Sequence, residues 1–250
     1  MDAGASALVL LAGWLIGATG IGGVLVVPVL GALEGMALPR AIAASALAFA
    51  LPGAVALWRL RGHAEALRSS GATRSLPMAA LIGGAVPGSL LGAFGVHHLG
   101  STWLLVGLAA LALSSGLRGL RTAAHGPTLP GMAPPVAAGL GVLVGLGSGL
   151  SGTGGPVLLV PLLMALRQPL PATVAAAQAI QLPVALSAGA VHAWSGALDL
   201  VLALQLGSWL LLGSLAGQWA ARRIAVAQLQ RLVSLLLIAT GLWLAWRLFQ

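Results

Sequence analysis

Apolar residues fall along the chain in eight blocks, at about 5–33, 41–58, 76–96, 101–120, 133–166, 171–193, 198–221 and 227–248. Charges and prolines collect in the breaks. Arg59, Arg61, His63, Glu65, Arg68 and Arg74 fill the second break, and Arg118, Arg121, His125, Pro127 and Pro130 the fourth. Arg222, Arg223 and Arg231 mark the seventh. Blocks of about 20 apolar residues separated by charged turns predict helices that cross a bilayer. The expected fold is an all-α polytopic membrane protein, because helices satisfy their own backbone groups in lipid.

The fourth break is the natural midpoint, and the halves on either side are related. Gly17-Ala18-Thr19-Gly20-Ile21-Gly22-Gly23 recurs as Gly149-Leu150-Ser151-Gly152-Thr153-Gly154-Gly155. An aliphatic run then leads to Pro28 or Pro161, and Leu38-Pro39 recurs as Leu170-Pro171 before an Ala-rich segment. Gly88-Ser89-Leu90-Leu91-Gly92 recurs as Gly213-Ser214-Leu215-Ala216-Gly217, and Gly116 matches Gly241. Several matches in one order predict an internal duplication of four segments each. Its units are residues 1–125 and 126–250.

The first and fifth blocks are too long for ordinary spans. A straight helix over 5–33 would measure about 44 Å, against a hydrocarbon core about 30 Å thick. The glycine motif sits near the middle of each block, with flanks of about 10–14 residues that would each reach roughly the bilayer centre. A broken or re-entrant first helix is therefore expected in each half. Arginine placement agrees. If the fifth block enters and leaves on one side, ten of the twelve Arg lie inside and only Arg40 and Arg247 outside. The positive-inside rule favours this count over the seven-to-five division of eight full spans. Three spans plus a hairpin per half would invert the second half relative to the first, a common transporter plan.

Composition removes other classes. Charged residues make up 6% and hydrophobic residues 59%, too apolar for a soluble domain of this size. The net charge of +8 comes from arginines alone, which topology explains without a nucleic-acid partner. No cysteine is available for a thiolate site, and four acids near block ends (Asp2, Glu34, Glu65, Asp199) offer no carboxylate at mid-membrane. No metal or cofactor is expected. The partners are the bilayer and a small anion, with self-association left open.

Two glycine turns at mid-depth imply a cavity, since unwound backbone survives in lipid only where protein, water or substrate satisfies it. Half-helices starting at Gly22-Gly23 and Gly154-Gly155 would aim N-terminal amides at an anion. Thr19 and Ser151 occupy equivalent positions and could add hydroxyl donors. The candidate substrate site is Thr19, Gly20, Gly22, Gly23, Ser45, Ser151, Gly152, Thr153, Gly154, Gly155, Gln178 and Gln181. Gln178 and Gln181 share a helix face, and Ser45 is the approximate counterpart of Gln178. The alternative use of these residues is helix packing and interhelical bonding. His97, His98 and His192 fall near block ends, as do Trp58, Trp103, Trp194, Trp219 and Trp246. An interfacial position accounts for both sets.

The duplicated Gly-x-Thr/Ser-Gly-x-Gly-Gly motif, the aliphatic run to Pro28 and Pro161, and the stretch holding Trp194, Gly196 and Asp199 together resemble the TauE/SafE family of bacterial membrane proteins. The resemblance extends from about Leu8 to Arg247. It departs at Val24 and Pro156, where a further glycine is common in the family. What it implies is a transporter in the cytoplasmic membrane, exporting small sulfur-containing anions such as sulfite or organosulfonates, and not an enzyme. An anion channel is the near alternative. An intramembrane protease built on Ser151 and His192 is a distant one.

Overall fold

Proline and glycine set where the helices start and stop. The computed structural model of the chain describes residues 2–20, 22–62, 76–98, 101–121, 132–166, 168, 170–221, 223 and 225–247. The stretch holding His63, Glu65, Arg68 and Arg74, and with it Arg167 and Arg222, lies outside the described residues. Among those described there are helices and no strands. Helix α1 (Ala3–Thr19) stops at Gly20, whose φ of 76° is left-handed. A short 3-10 turn, Gly23–Leu25, leads into α2 (Val26–Leu33). Then follow α3 (Leu38–Ala48), α4 (Ala50–Gly62), α5 (Met78–His98) and α6 (Ser101–Arg121). Helix α7 (Pro134–Ser151) opens on proline and stops at Gly152, φ 65°. The chain continues with α8 (Pro156–Ala165), α9 (Leu170–Trp194), α10 (Leu200–Ala221) and α11 (Val226–Arg247).

Among the described residues, five helical stretches are long and apolar enough to cross a membrane: Leu38–Arg59, Met78–His98, Pro134–Ser151, Ala172–Trp194 and Leu200–Ala221. The first joins α3 and α4, which break at Phe49. Pro52 explains the break, because it offers no N–H to the carbonyl of Ala48 four residues earlier. Large apolar side chains such as Leu11, Leu143, Val201 and Leu242 point outward, as expected where the surroundings are lipid. Trp58, Trp103, Trp194, Trp219 and Trp246 are all exposed near helix ends.

Both long blocks are broken helices whose second leg turns back. The N–H of Asp2, at the start of α1, donates to Glu34 Oε1, just past α2, at 2.9 Å. A Cβ on Gly22 would lie 2.5 Å from the carbonyl oxygen of Ala12, so the chain after Gly20 has returned along α1. In the second block Gly155 likewise lies beside Val144 of α7. The legs are unequal, contrary to the even flanks expected from the motif's central position. Helix α1 has 17 residues and α2 has 8; α7 has 18 and α8 has 10. The first leg therefore rises about 25 Å, most of the hydrocarbon thickness, and the return helix starts partway back down.

Glycines hold the long helices together. A Cβ on Gly13 would sit 2.5 Å from Leu210 O, and one on Gly17 would sit 2.0 Å from Ser214 O. From the other side Gly213 faces Leu10 O and Gly217 faces Trp14 O. The pairs advance together, so α1 and α10 run parallel. Helices α5 and α7 meet the same way, with Gly84, Gly88 and Gly92 against Ala138, Val142 and Leu146, and Gly141, Gly145 and Gly149 against Leu81, Ala85 and Ser89. These are small-x-x-x-small contacts in which backbones touch. Helices α6 and α11 pair antiparallel through Gly116 near Ile238 and Gly241 near Leu113. Helix α9 runs antiparallel to α3 and α4, with Gly189 on Leu47 and Gly53 on Gln181 and Leu182.

These directions give the bundle two ends. At one lie the start of α1, Glu34, the start of α3, and the meeting of α5 and α9 at His97 and His192. At the other lie the ends of α4 and α10, tied by Arg59 Nη1 donating to Gln218 Oε1.

Gly17→Val is expected to destabilise the protein by ~2 kcal/mol or more, lowering its unfolding midpoint in detergent. Gly139→Ala, with open space around the new Cβ, should leave the midpoint unchanged; equal midpoints for the two variants would disprove the close contact. Because the chain has no cysteine, single-Cys labelling reads the hairpins directly. Gly4→Cys and Gly35→Cys should label from one face of the membrane, Met132→Cys and Leu166→Cys from the other. Labelling of positions 4 and 35 from opposite faces would rule out the first hairpin.

Candidate functional site

The two return legs begin where the halves touch. A Cβ on Gly23 would lie 2.3 Å from Thr153 O and 2.8 Å from Phe49 Cζ. One on Gly154 would lie 2.6 Å from Phe49 Cγ. The fully buried Phe49 ring is thus lodged between the two glycine turns. Gly152, Gly154 and Gly155 all have positive φ, at 65°, 77° and 99°. Non-glycine residues adopt such values at a cost, which explains a run of glycine here. Gly22 differs: its φ is −178°, and it is the nearby Ala12 carbonyl that leaves no room for a side chain.

Each first-leg terminus reaches the Ala-rich helix of the opposite half. Gly20 packs near Val160, Val174 and Ala177. Gln178, half-buried, is one turn on from Val174 along the same face. In the other half Ser45 Oγ donates to Gly152 O at 2.6 Å, and Gly152 lies against Ile42. Gln181 is buried against Gly53 of α4, with its Nε2 lacking an acceptor among the described residues.

The hydroxyls of Thr19 and Ser151 occupy matching positions. Thr19 Oγ1 donates to Leu15 O at 2.7 Å, and Ser151 Oγ to Gly147 O at 2.6 Å. Ser151 Oγ also lies 2.8 Å from Thr153 Oγ1. With their protons held by the preceding helical turn, these oxygens are acceptors in this arrangement. At the starting ends of the return legs Leu25 N–H bonds to Gly22 O and Leu158 N–H to Gly155 O, and Pro156 has no N–H, so the amides to consider for an anion are those of the glycine turns themselves. Such ends favour an anion.

Ser45, Gly23 and the run Ser151 to Gly155 therefore form one contiguous set, with Gln178 on the Gly20 side and Gln181 deeper along α9. Sequence reasoning did not find Phe49; Pro52 was the available signal, as it weakens the helix where the aromatic ring inserts. Nor did it pair His97 with His192. Their Nε2 and Nδ1 atoms are 3.2 Å apart, but a sequence separation of 95 leaves no spacing signal. No hydrogen bond joins Ser151 to His192 among the described residues; each is engaged elsewhere.

No curated protein and no solved structure matches the chain. The family of the sulfite exporter TauE/SafE matches it over residues 5–244, which includes both glycine turns and the helices that meet them. A multi-pass helical bundle with this match is a membrane transporter, and the chain belongs to the sulfite exporter TauE/SafE family.

Proposed function

We propose that the protein is a carrier that exports small sulfur-containing anions, sulfite or an organosulfonate, through a site between the two glycine turns. The observation that carries this reading is the contact of Gly23 with Thr153, which places the beginnings of two return helices together. Two such ends offer amide donors and positive dipole ends without a formal charge. That chemistry suits an oxyanion that must be released again. Gly22, Gly23, Gly154 and Gly155 supply the amides. Thr19, Ser45, Ser151, Gly152 and Thr153 shape the turns, and Gln178 and Gln181 offer amide side chains from α9.

The architecture behind the site is read as two inverted repeats, 1–125 and 126–250. Contacts support it by mapping onto one another when the halves are exchanged. Gly17 against Ser214 corresponds to Gly149 against Ser89, and Gly13 against Leu210 to Gly145 against Ala85. The matched helices α6 and α11 are antiparallel, as inversion requires. Arg59, Arg118, Arg121, Arg223 and Arg231 belong to one end of the bundle and Arg40 to the other. By the positive-inside rule the first end is cytoplasmic, in a bacterial cytoplasmic membrane.

The test is radiolabelled sulfite uptake into proteoliposomes, with taurine, toluenesulfonate and sulfate as competitors. Saturable uptake with counterflow is expected; conductance that never saturates would replace the carrier with a channel. Gly22→Leu and Gly154→Leu should abolish flux from inserted protein. Gln178→Leu, a milder change at a half-buried position, should cut flux by about tenfold, the loss of one hydrogen bond to a charged group. Full flux in all three variants would refute the site.

A further inference from the structure

A second polar cluster lies where α5 and α9 end, away from the glycine turns. Ser195 Oγ lies 3.0 Å from His192 O, to which it can donate. With its proton so placed, the 2.9 Å contact between Ser195 Oγ and His97 Nε2 is donated by His97, and His97 Nε2 carries a proton. That same Nε2 lies 3.2 Å from His192 Nδ1, which must accept. A neutral His192 with Nδ1 as acceptor carries its proton on Nε2. The opposite tautomer, with Ser195 and His192 Nδ1 both donating to His97 Nε2, satisfies the same ring contacts, and the two differ in whether His192 Nε2 carries a proton.

The two rings differ in access. His97 is exposed, whereas His192 is 0% exposed and its Nε2 has no partner among the described residues. A buried ring nitrogen without a partner is costly and calls for a function. The rings stand edge to face, centroids 5.3 Å apart. From His192 the same face of α9 runs inward past Ala188 and Ala185 to Gln181, whose Nε2 is also buried and unpartnered. Gln181 lies eleven positions before His192, three helical turns, with Ala185 and Ala188 between them on that face.

We propose that His97 and His192 form a proton relay between the solution at this end of the bundle and the interior, coupling anion passage to proton movement. The inference rests on the transport reading. A proton taken from solution makes His97 cationic. His97 Nε2 passes its proton to His192 Nδ1, and His192 releases its Nε2 proton inward to the passing oxyanion or accompanying water. Each hop breaks one N–H bond and forms another, and no other reactant is consumed. The helices packed on α9 are α3, α4, α5, α7 and α8. Their titratable or charged groups among the described residues are Arg40, Arg59, Arg61, His97 and His98, and His97 is the one against the His192 ring.

Two measurements on the full chain test this. Proteoliposomes with a trapped pH dye are given labelled toluenesulfonate, whose sulfonate has no titratable proton near neutral pH. An imposed proton gradient should accelerate uptake, with dye-reported protons moving alongside. His97→Gln and His192→Gln should keep counterflow but lose the gradient-driven component. Gradient-driven uptake that persists in both variants overturns the relay and leaves transport standing, as does wild-type counterflow indifferent to the gradient. Absence of counterflow for every sulfur anion overturns the transport reading instead. Nitrogen-15 histidine NMR in bicelles then judges the pair by itself. Scalar coupling between His97 Nε2 and His192 Nδ1, with neutral His192 protonated at Nε2, sustains the relay. No coupling and a His192 protonated at Nδ1 ends it.

Discussion

The structure depends on helices whose backbones touch where glycines of one meet the backbone of the other. In lipid there is no hydrophobic force to press one apolar helix on another, so association relies on close packing. The Gly13/Gly17 face of α1 and the Gly213/Gly217 face of α10 bring carbonyl oxygens within reach of the opposing Cα atoms. Contacts of this kind contribute only fractions of a kcal/mol each, but here they recur every four residues. The same arrangement joins α5 to α7. Each junction crosses from one half of the chain to the other, so the halves interlock instead of standing side by side.

From that interlock follows the placement of the turns. Helix α1, anchored along α10, must end at Gly20 against α9 of the opposite half, and α7 must end at Gly152 against α3. The return legs then begin partway back, with Gly23 on Thr153. Short helices that start inside a bundle leave amides unpaired, and the bundle tolerates them only if something negative arrives or nearby oxygens turn toward them.

Much of this was legible in the residues. The eight apolar blocks predicted the helices, and the repeated glycine motif predicted both helix breaks at the right residues. Gly20 and Gly152 are both left-handed caps, whereas Gly22 is extended where Gly154 is left-handed. The unequal legs were not legible, because hydropathy stays high across α1, the turn and α2 alike and carries no mark of direction. Gln178 and Gln181 could be assigned to one face, but which helix they meet depends on the antiparallel docking of α9 on α4. The His97 and His192 pair was invisible for the same reason: each residue looked interfacial alone, and only the convergence of α5 and α9 makes them neighbours.

The pairing of α1 with α10 bears on how the protein comes to be. Helix α1 leaves the ribosome well before α10, so its glycine face has no partner until residues near 210 have been made. Most of the chain must be synthesised while that groove faces lipid or a chaperoning insertase. Contacts so distant in sequence are slow to close. The hairpin of α1 and α2 is therefore locked in place only after α10 has been made, long after its own synthesis.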